Sequence, residues 1–233
     1  MAKVDVLIPT YNRGTMLQDS VRSILGQSFK DFRIVIYDDG STDDSLDQLP
    51  SDPRIEVIRG EENKGIAHAR TQLLAQVEAP FCAWQDSDDI SDPHRLRKML
   101  DHIEEVESDI AFSYLHFFRG SFKRRHWHLY KVDTTKYKTP EQGGPDHYGL
   151  DGNMTHPTAV FRQAVVKYPV EDMRRPFGSD RFWLMSLLRA GFKFSYLPEP
   201  LYYLRRHDGR VTTRRKQKRA SSPALEIVEE QHD

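Results

Sequence analysis

Short apolar runs alternate with amphipathic segments along the first half of the chain. The predicted strands cover residues 4–9, 32–37, 54–59 and 80–84, and each of them ends in a polar loop. The predicted helices cover residues 14–28, 45–49, 66–77 and 93–106. Regular alternation of strands with helices is typical of α/β proteins whose parallel strands are joined by right-handed crossovers. We therefore expect an α/β fold with a mostly parallel central sheet.

The second half of the chain follows a less regular pattern. Strands are predicted over residues 109–118, 126–132, 157–162, 193–197 and 200–206, and a helix over residues 180–191. Residues 136–153 are rich in Gly, Pro and polar residues and predict a long loop. We expect one domain over residues 1–209, in which an α+β half (109–209) completes an α/β half (1–108), followed by a charged tail (210–233).

The charge of the chain is balanced overall but uneven along its length. Its 34 Lys and Arg residues face 35 Asp and Glu residues, which argues against a nucleic-acid partner. The run 210–219 is strongly basic, so it contacts an anionic membrane surface or an anionic acceptor, or it is a solvated tail. The lone cysteine, Cys82, lies in an apolar run and predicts a buried thiol in a reducing compartment. We expect a cytoplasmic location, with 210–219 as the candidate membrane contact.

Two polar loops follow the first and second predicted strands, at the sheet edge where open α/β proteins bind ligands. The loop "TYNRG" (10–14) offers hydrogen-bonding groups and the aromatic face of Tyr11. The loop "DDGSTD" (38–43) begins with two adjacent carboxylates, Asp38 and Asp39, which can accept hydrogen bonds from a base or a ribose. A turn followed by a helix cap would explain the Gly and Ser of this loop but does not need both acids.

A third loop, "QDSDDISDP" (85–93), collects four aspartates directly after the apolar run that ends at Trp84. Neighbouring carboxylates repel one another, so they are either spread over a solvated loop or accompanied by a cation. Asp92 is explained as the start of the helix that follows Pro93. Asp86, Asp88 and Asp89 remain, and carboxylates of this kind bind Mg²⁺ or Mn²⁺ that bridges to substrate phosphates. The chain has no glycine-rich dinucleotide or P-loop motif.

The motifs "VDVLIPTYNR", "DDGSTD", "NKGIAHAR" and "QDSDD", in this order and at these spacings, resemble the GT-A nucleotide-sugar domain of family 2 glycosyltransferases. The resemblance is dense over roughly residues 3–100 and looser beyond. It implies a nucleotide diphosphate sugar as donor, in most cases a UDP-sugar, together with Mn²⁺ or Mg²⁺ and inversion at the anomeric carbon. It also implies that the acceptor is a hydroxyl of a glycan or of a lipid-linked sugar.

The resemblance assigns roles to individual residues by position. The residues that it places on the donor nucleotide and its diphosphate are Thr10, Tyr11, Asn12, Arg13, Asp38, Asp39, Lys64, Arg70 and Asp86. It makes Asp88 the direct metal ligand and His207 a second ligand, although a solvated basic loop explains His207 and its neighbours Arg205 and Arg206 equally well. His156 and Trp183 are placed on the acceptor side, although Trp183 is most simply explained as a core position of its helix.

The general base implied by the resemblance is Asp180, in "GSDRFW" (178–183). Ser179 stands where family members commonly carry another acid, and the alternative role of Asp180 is to cap its helix. Two other functions compete with a glycosyltransferase. A sugar nucleotidylyltransferase would need a glycine-rich basic loop after the first strand, which "TYNRGTM" lacks. A non-catalytic sugar-nucleotide or glycan-binding module is disfavoured because Asp86, Asp88 and Asp180 are all present.

Overall fold

The computed structural model describes residues 1–119, 156–167 and 179–207, without the side chains of residues 179–182. The strand predicted over 126–132, the loop predicted over 136–153 and the basic run 210–219 lie outside this part of the chain. The end of the domain at residue 209 therefore stays a prediction. Within the described residues, no helix is long and apolar enough to cross a membrane.

Strands and helices alternate through the first hundred residues, as the sequence predicts. The described strands are β1 (Val4–Thr10), β2 (Phe32–Asp38), β3 (Ile55–Arg59), β4 (Phe81–Trp84), β5 (Ile90–Ser91), β6 (Ile110–Phe118), β7 (Val160–Arg162) and β8 (Phe194–Arg205). The described α-helices are α1 (Thr15–Leu25), α2 (Ile66–Ala75), α3 (Arg95–Glu105) and α4 (Ser179–Arg189). A short 3-10 helix, His156–Thr158, precedes β7.

The strands form one sheet in the order β3-β2-β1-β4-β7-β6-β8-β5. The first four strands of this order are parallel to one another. Strand β7 is antiparallel to both of its neighbours, β6 and β8 are parallel, and the two-residue β5 closes the far edge antiparallel to β8. The prediction of an α/β fold with a mainly parallel sheet is confirmed. The carboxyl ends of β1, β2 and β4 lie side by side, which brings the three polar loops to one edge.

Two element predictions are wrong. Residues 45–49 form turns rather than a helix, because Pro50 ends the segment after too few residues to stabilise one and Ser45 is engaged elsewhere. The segments 193–197 and 200–206 are one continuous strand, β8, rather than two. Its register against β6 shifts at Tyr114, opposite the stretch that contains Pro198 and Pro200, because proline has no N–H to donate to the ladder.

Apolar side chains cover both faces of the sheet. Along β1, Val6 and Ile8 pack on one face with the apolar stripes of α1 and α3, while Leu7 packs on the other face with α2 and α4. This alternation is the two-residue period of a strand that is buried on both sides. Cys82 is a fully buried free thiol whose pKa is raised by burial, as its apolar neighbours predict.

Candidate active site

The loops that follow β1 and β2 are bound to each other. The N–H of Asp39 donates to the carbonyl of Thr10 at 2.9 Å. The backbone N–H of Asn12 donates to Oγ of Ser41 at 2.9 Å, and the N–H of Thr42 donates to Oδ1 of Asn12 at the same distance. Asn12 has a φ of 48°, a left-handed conformation that Asn tolerates better than most residues. The two loops therefore form one rigid surface beside the sheet edge.

Asp38 is a buried structural carboxylate. Its Oδ1 accepts a hydrogen bond from the N–H of Ser41 at 3.1 Å, and its Oδ2 lies 3.3 Å from Nε of Arg59. The side chain has no exposed surface. Asp38 thus fixes the turn that carries its neighbour Asp39, and its predicted contact with the donor nucleotide stays untested.

Asp39 holds the beginning of helix α2. Its two carboxylate oxygens accept hydrogen bonds from the backbone N–H groups of Lys64 and Gly65 at 3.1 and 2.7 Å. A carboxylate at a helix N-terminus is stabilised both by these donors and by the helix dipole. The second acid of "DDGSTD", which a local turn does not require, is therefore explained by contacts with residues 25 and 26 positions further along the chain.

The acidic loop after β4 gathers three carboxylates. One carboxylate oxygen from each of Asp86, Asp88 and Asp89 lies within 4.8 Å of the other two. The side chain of Asp86 is one quarter exposed and that of Asp88 is 9% exposed, whereas Asp89 is fully buried. Asp86 and Asp88 are therefore the two carboxylates that a ligand can reach.

The structure brings His207 to the same cluster. Its Nε2 lies 3.0 Å from Oδ2 of Asp88, although the two residues are 119 positions apart. Carboxylate oxygens together with one imidazole nitrogen form a set of ligand atoms that suits Mn²⁺ and is compatible with Mg²⁺. The residues present therefore fit the divalent cation that the sequence motifs imply.

Two predicted donor-binding arginines border the cluster. Nε of Arg13 lies 3.4 Å from Oδ2 of Asp88, and an Nη of Arg70 lies 3.9 Å from Oδ1 of Asp86. Arg70 also lies over the ring of Trp84, with its Cζ 6.0 Å from the ring centroid. Both arginines are mostly buried, so their charge acts on the carboxylates with little solvent screening.

Arg205 holds the acidic loop from the end of β8. Its backbone N–H donates to Oδ1 of Asp89 at 2.7 Å and its Nε donates to the carbonyl of Asp88 at 2.8 Å. Its Nη2 donates to Oδ2 of Asp19, in helix α1, at 2.9 Å. Arg205 therefore does not lie in a solvated basic loop: its side chain is buried and binds the protein itself.

A second buried arginine, Arg95, supports the loop from below. Its guanidinium donates to the carbonyls of Trp84 and Pro157 at 2.9 and 3.0 Å, and to side-chain oxygens of Gln85 and Ser91 at 3.2 and 2.9 Å. Burial lowers the pKa of Arg95 to about 10, so it stays protonated at neutral pH. Sequence reasoning missed this residue, although a charged side chain on the buried stripe of α3 is itself an unusual signal.

His156 and Trp183 meet in an aromatic cluster with Trp84. The His156 ring lies 4.7 Å from that of Trp84 and 5.7 Å from that of Trp183, measured between centroids. All three side chains are buried, and their ring nitrogens have no hydrogen-bond partner within the described residues. Burial, and then the charge of Arg70, hold the pKa of His156 well below its usual value. The predicted acceptor-side role of His156 and Trp183 stays a prediction.

Three further predicted residues are placed less specifically. Tyr11, in the first loop, is 38% exposed, so its ring is accessible to a ligand. The side chain of Lys64 is about half exposed and lies 3.7 Å from Glu62. Asp180 lies in the first turn of α4, and its side chain is outside the described part. Its role as general base stays a prediction.

Comparison with known proteins identifies the family. Residues 5–168 match the sequence model of the family described as Glycosyl transferase family 2. The chain is 28% identical over 240 aligned positions to the "Bifunctional glycosyltransferase pgtA" of Dictyostelium discoideum, an alignment that covers 88% of this chain and 31% of that protein. The chain thus spans about a third of the length of this relative.

Solved structures share the fold. The structure of S. aureus TarS residues 1–349 in complex with UDP-GlcNAc matches with a TM-score of 0.66 and 24% identity, covering 89% of this chain and 60% of that one. The mannosyltransferase PcManGT of Pyrobaculum calidifontis, in complex with GDP-Man and Mn²⁺, matches with a TM-score of 0.62 and 17% identity, covering 86% and 56%. At these identities the likeness establishes the fold and nothing finer.

Proposed function

The chain belongs to glycosyl transferase family 2, and we propose that it transfers a sugar from a nucleotide diphosphate sugar to a hydroxyl of a glycan or lipid-linked acceptor. The match to the family model confirms the resemblance found in the sequence. The observation that carries the proposal is the convergence of Asp86, Asp88 and His207 with two arginines at the carboxyl edge of the sheet. This arrangement offers both carboxylates for a cation and cations for a diphosphate.

The nucleotide is proposed to lie on the surface made by the first two loops. Asn12 and its partners fix that surface, Tyr11 offers an aromatic face for the base, and Asp39 retains lone pairs beyond its two backbone hydrogen bonds. A UDP-sugar is the donor class that we favour. The UDP-GlcNAc complex of TarS, which has the same fold, supports this choice.

The divalent cation is proposed to bind Asp88, with His207 and Asp86 as the nearest further ligands. Once bound, such a cation neutralises charge that develops on the leaving diphosphate. The manganese complex of PcManGT supports the presence of a metal in this fold. The arginines beside the carboxylates contribute to the same neutralisation, because Arg13 and Arg70 point positive charge at the place where the diphosphate would lie.

Asp180 is proposed as the general base. The carboxylate takes the proton of the acceptor hydroxyl as its oxygen forms a bond to the anomeric carbon, and the bond from that carbon to the diphosphate breaks on the opposite face. The configuration at the anomeric carbon is thus inverted, the proton stays on Asp180 and the nucleotide diphosphate leaves.

The proposal is tested by measuring which nucleotides bind and whether one of them is turned over. The thermal unfolding temperature is measured with UDP, GDP, UDP-sugars and GDP-sugars, each with and without Mn²⁺. We expect a uridine diphosphate compound to raise this temperature only when Mn²⁺ is present, because ligands stabilise the state that binds them. The UDP-sugar that binds is then assayed for slow release of UDP to water. Absence of both binding and release for all these compounds would contradict the proposal.

A further inference from the structure

Arg13 lies against the carboxylate on which the proposed metal site depends. Its Nε is 3.4 Å from Oδ2 of Asp88, the same oxygen that Nε2 of His207 approaches at 3.0 Å. This Nε is buried and makes no hydrogen bond to any described residue, so the contact is a charge pair rather than a directed bond. A divalent cation that binds Asp88 therefore meets an arginine already placed on the oxygen that it needs.

The backbone of Arg13 is fixed by hydrogen bonds, while its side chain makes an ion pair with Asp88 within the described residues. The N–H groups of Arg13 and Gly14 donate to Oγ of Ser45 at 2.8 and 2.7 Å, which anchors the loop. The arginine side chain is about one fifth exposed. Because the side chain has several rotatable bonds and a loose ion pair, it can turn from Asp88 toward an incoming phosphate without moving the loop.

Arginines lie close to the two carboxylates of the cluster that a ligand can reach. Arg70 lies beside Asp86 and Arg13 beside Asp88, while the guanidinium of Arg205 binds the carbonyl of Asp88. Part of the negative charge that would attract a cation is therefore already compensated. A divalent cation that binds alone adds further positive charge beside these arginines in a poorly solvated place, which is unfavourable.

A nucleotide diphosphate changes this balance. The diphosphate of a nucleotide sugar carries about two negative charges, one for each phosphate. These match the charge of one divalent cation, and free UDP carries at least as many. Binding of both ligands therefore adds little net charge to the site and gives Arg13 a new anionic partner when it leaves Asp88. The two ligands are therefore expected to favour each other.

We propose that Arg13 is the counter-ion of Asp88 in the ligand-free protein and that it makes binding of the divalent cation depend on the nucleotide diphosphate. This inference rests on the proposed function, since it assumes that both ligands bind here. It assigns Arg13 a positioning role, in which the side chain suppresses metal binding by the empty protein and then turns to the diphosphate.

The test is the affinity for Mn²⁺ measured from the electron paramagnetic resonance signal of free Mn²⁺, with and without UDP. For the wild-type protein we expect weak binding of Mn²⁺ alone and much tighter binding with UDP. In Arg13→Gln, Mn²⁺ alone should bind about tenfold more tightly, because one positive charge has been removed next to Asp88. The tightening caused by UDP should shrink by about the same factor, because Arg13 faces the diphosphate rather than Asp88 once UDP is bound, so its loss no longer changes the affinity for Mn²⁺.

Two variants control this measurement. Arg13→Lys keeps the charge and should retain weak binding of Mn²⁺ alone. Arg54→Gln removes the same charge from a surface pair with Asp52 and should behave as wild type. If Arg13→Gln binds Mn²⁺ alone no more tightly than wild type while UDP still tightens binding, the role of Arg13 is overturned and the proposed function stands. If UDP and Mn²⁺ do not bind even to the wild type, the proposed function fails and this inference fails with it.

Discussion

Nη2 of Arg95 donates to the backbone carbonyl of Trp84 at 2.9 Å. A buried cation from helix α3 thus binds the end of β4, the strand that leads into the acidic loop. The same nitrogen donates to the carbonyl of Pro157 at 3.0 Å, in the 3-10 helix that carries His156. One side chain thus connects the acidic loop with the aromatic cluster. Its positive charge also lies beneath the carboxylates, and Asp86 contributes to its stabilisation.

Replacement of Arg95 by Met should destabilise the protein by about 3 kcal/mol or more, because several buried oxygens lose their donor at about 1–3 kcal/mol each. The measurement is the free energy of unfolding from urea titration. Arg97→Met makes the same change at an exposed position of the same helix and serves as the control. Equal unfolding free energies for the two variants would contradict a supporting role for Arg95.

Replacement of Asp88 by Asn should abolish the Mn²⁺-dependent increase in UDP affinity and lower turnover by about 10²-fold or more. A neutral amide keeps the size of the side chain but cannot supply the charge that a divalent cation needs. Asp92→Asn is the matched control, because Asp92 acts at the start of α3, where its Oδ1 accepts the N–H of His94 at 2.9 Å. UDP binding by Asp88→Asn that still responds to Mn²⁺ would remove Asp88 from the metal site.

Replacement of Asp180 by Asn should lower kcat by about 10²–10⁴-fold and leave the affinity for the donor unchanged, since a general base acts only on the acceptor. Transfer is measured as release of the nucleotide, and donor affinity is measured by calorimetry. Ser179→Ala is the neighbouring control. Turnover close to that of the wild type would exclude Asp180 as the base.

The loops and the acidic cluster could be predicted because their signals are local. Polar residues directly after apolar runs mark the ends of buried strands, and alternation with helices places those ends on one edge. Asp86 and Asp88 follow Trp84 within four positions, so the sequence alone could place them together. The start of α3 could be predicted in the same way, because Asp92 precedes it by three residues.

The partners of these residues could not be predicted because they are distant along the chain. Asp39 binds backbone N–H groups 25 and 26 positions away, and Arg205 reaches Asp89 across 116 positions. From the sequence alone, a basic residue near a proposed phosphate site can be a ligand contact or a structural residue, and the two cannot be told apart. Only the position of β8, which brings Arg205 against the acidic loop, shows that this residue is structural.

The buried imidazole of His156 should make stability depend on pH. Burial holds its pKa in the folded protein well below the value of about 6.5 that applies when the chain is unfolded. Below about pH 6.5 the unfolded chain therefore binds more protons than the folded protein, so stability falls as the pH falls, by up to about 1.4 kcal/mol per pH unit.

Urea titrations at several values between about pH 6.5 and pH 5.5 measure this slope. In His156→Phe, which keeps an aromatic ring beside Trp84, the part of the slope due to the imidazole should disappear. His156→Leu provides a second variant in case the larger ring disturbs the packing of the cluster. Identical slopes for the wild type and for both variants would show that His156 is not held neutral by burial.

Gly40 should tolerate no side chain, because two separate effects oppose one. Its φ of +73° disfavours any residue with a Cβ, and a Cβ would lie only 2.7 Å from the backbone carbon of Glu62. Gly191 has a similar φ of +86° but has nothing within 4 Å of the Cβ position, so Gly191→Ala isolates the conformational effect. We expect Gly191→Ala to cost about 1–2 kcal/mol and Gly40→Ala to cost about 1–3 kcal/mol more through overpacking. Gly40→Ala should also weaken UDP binding, because the displaced backbone carries Asp39 with it. Equal losses of stability in the two variants would mean that the neighbouring loop yields to the added methyl group.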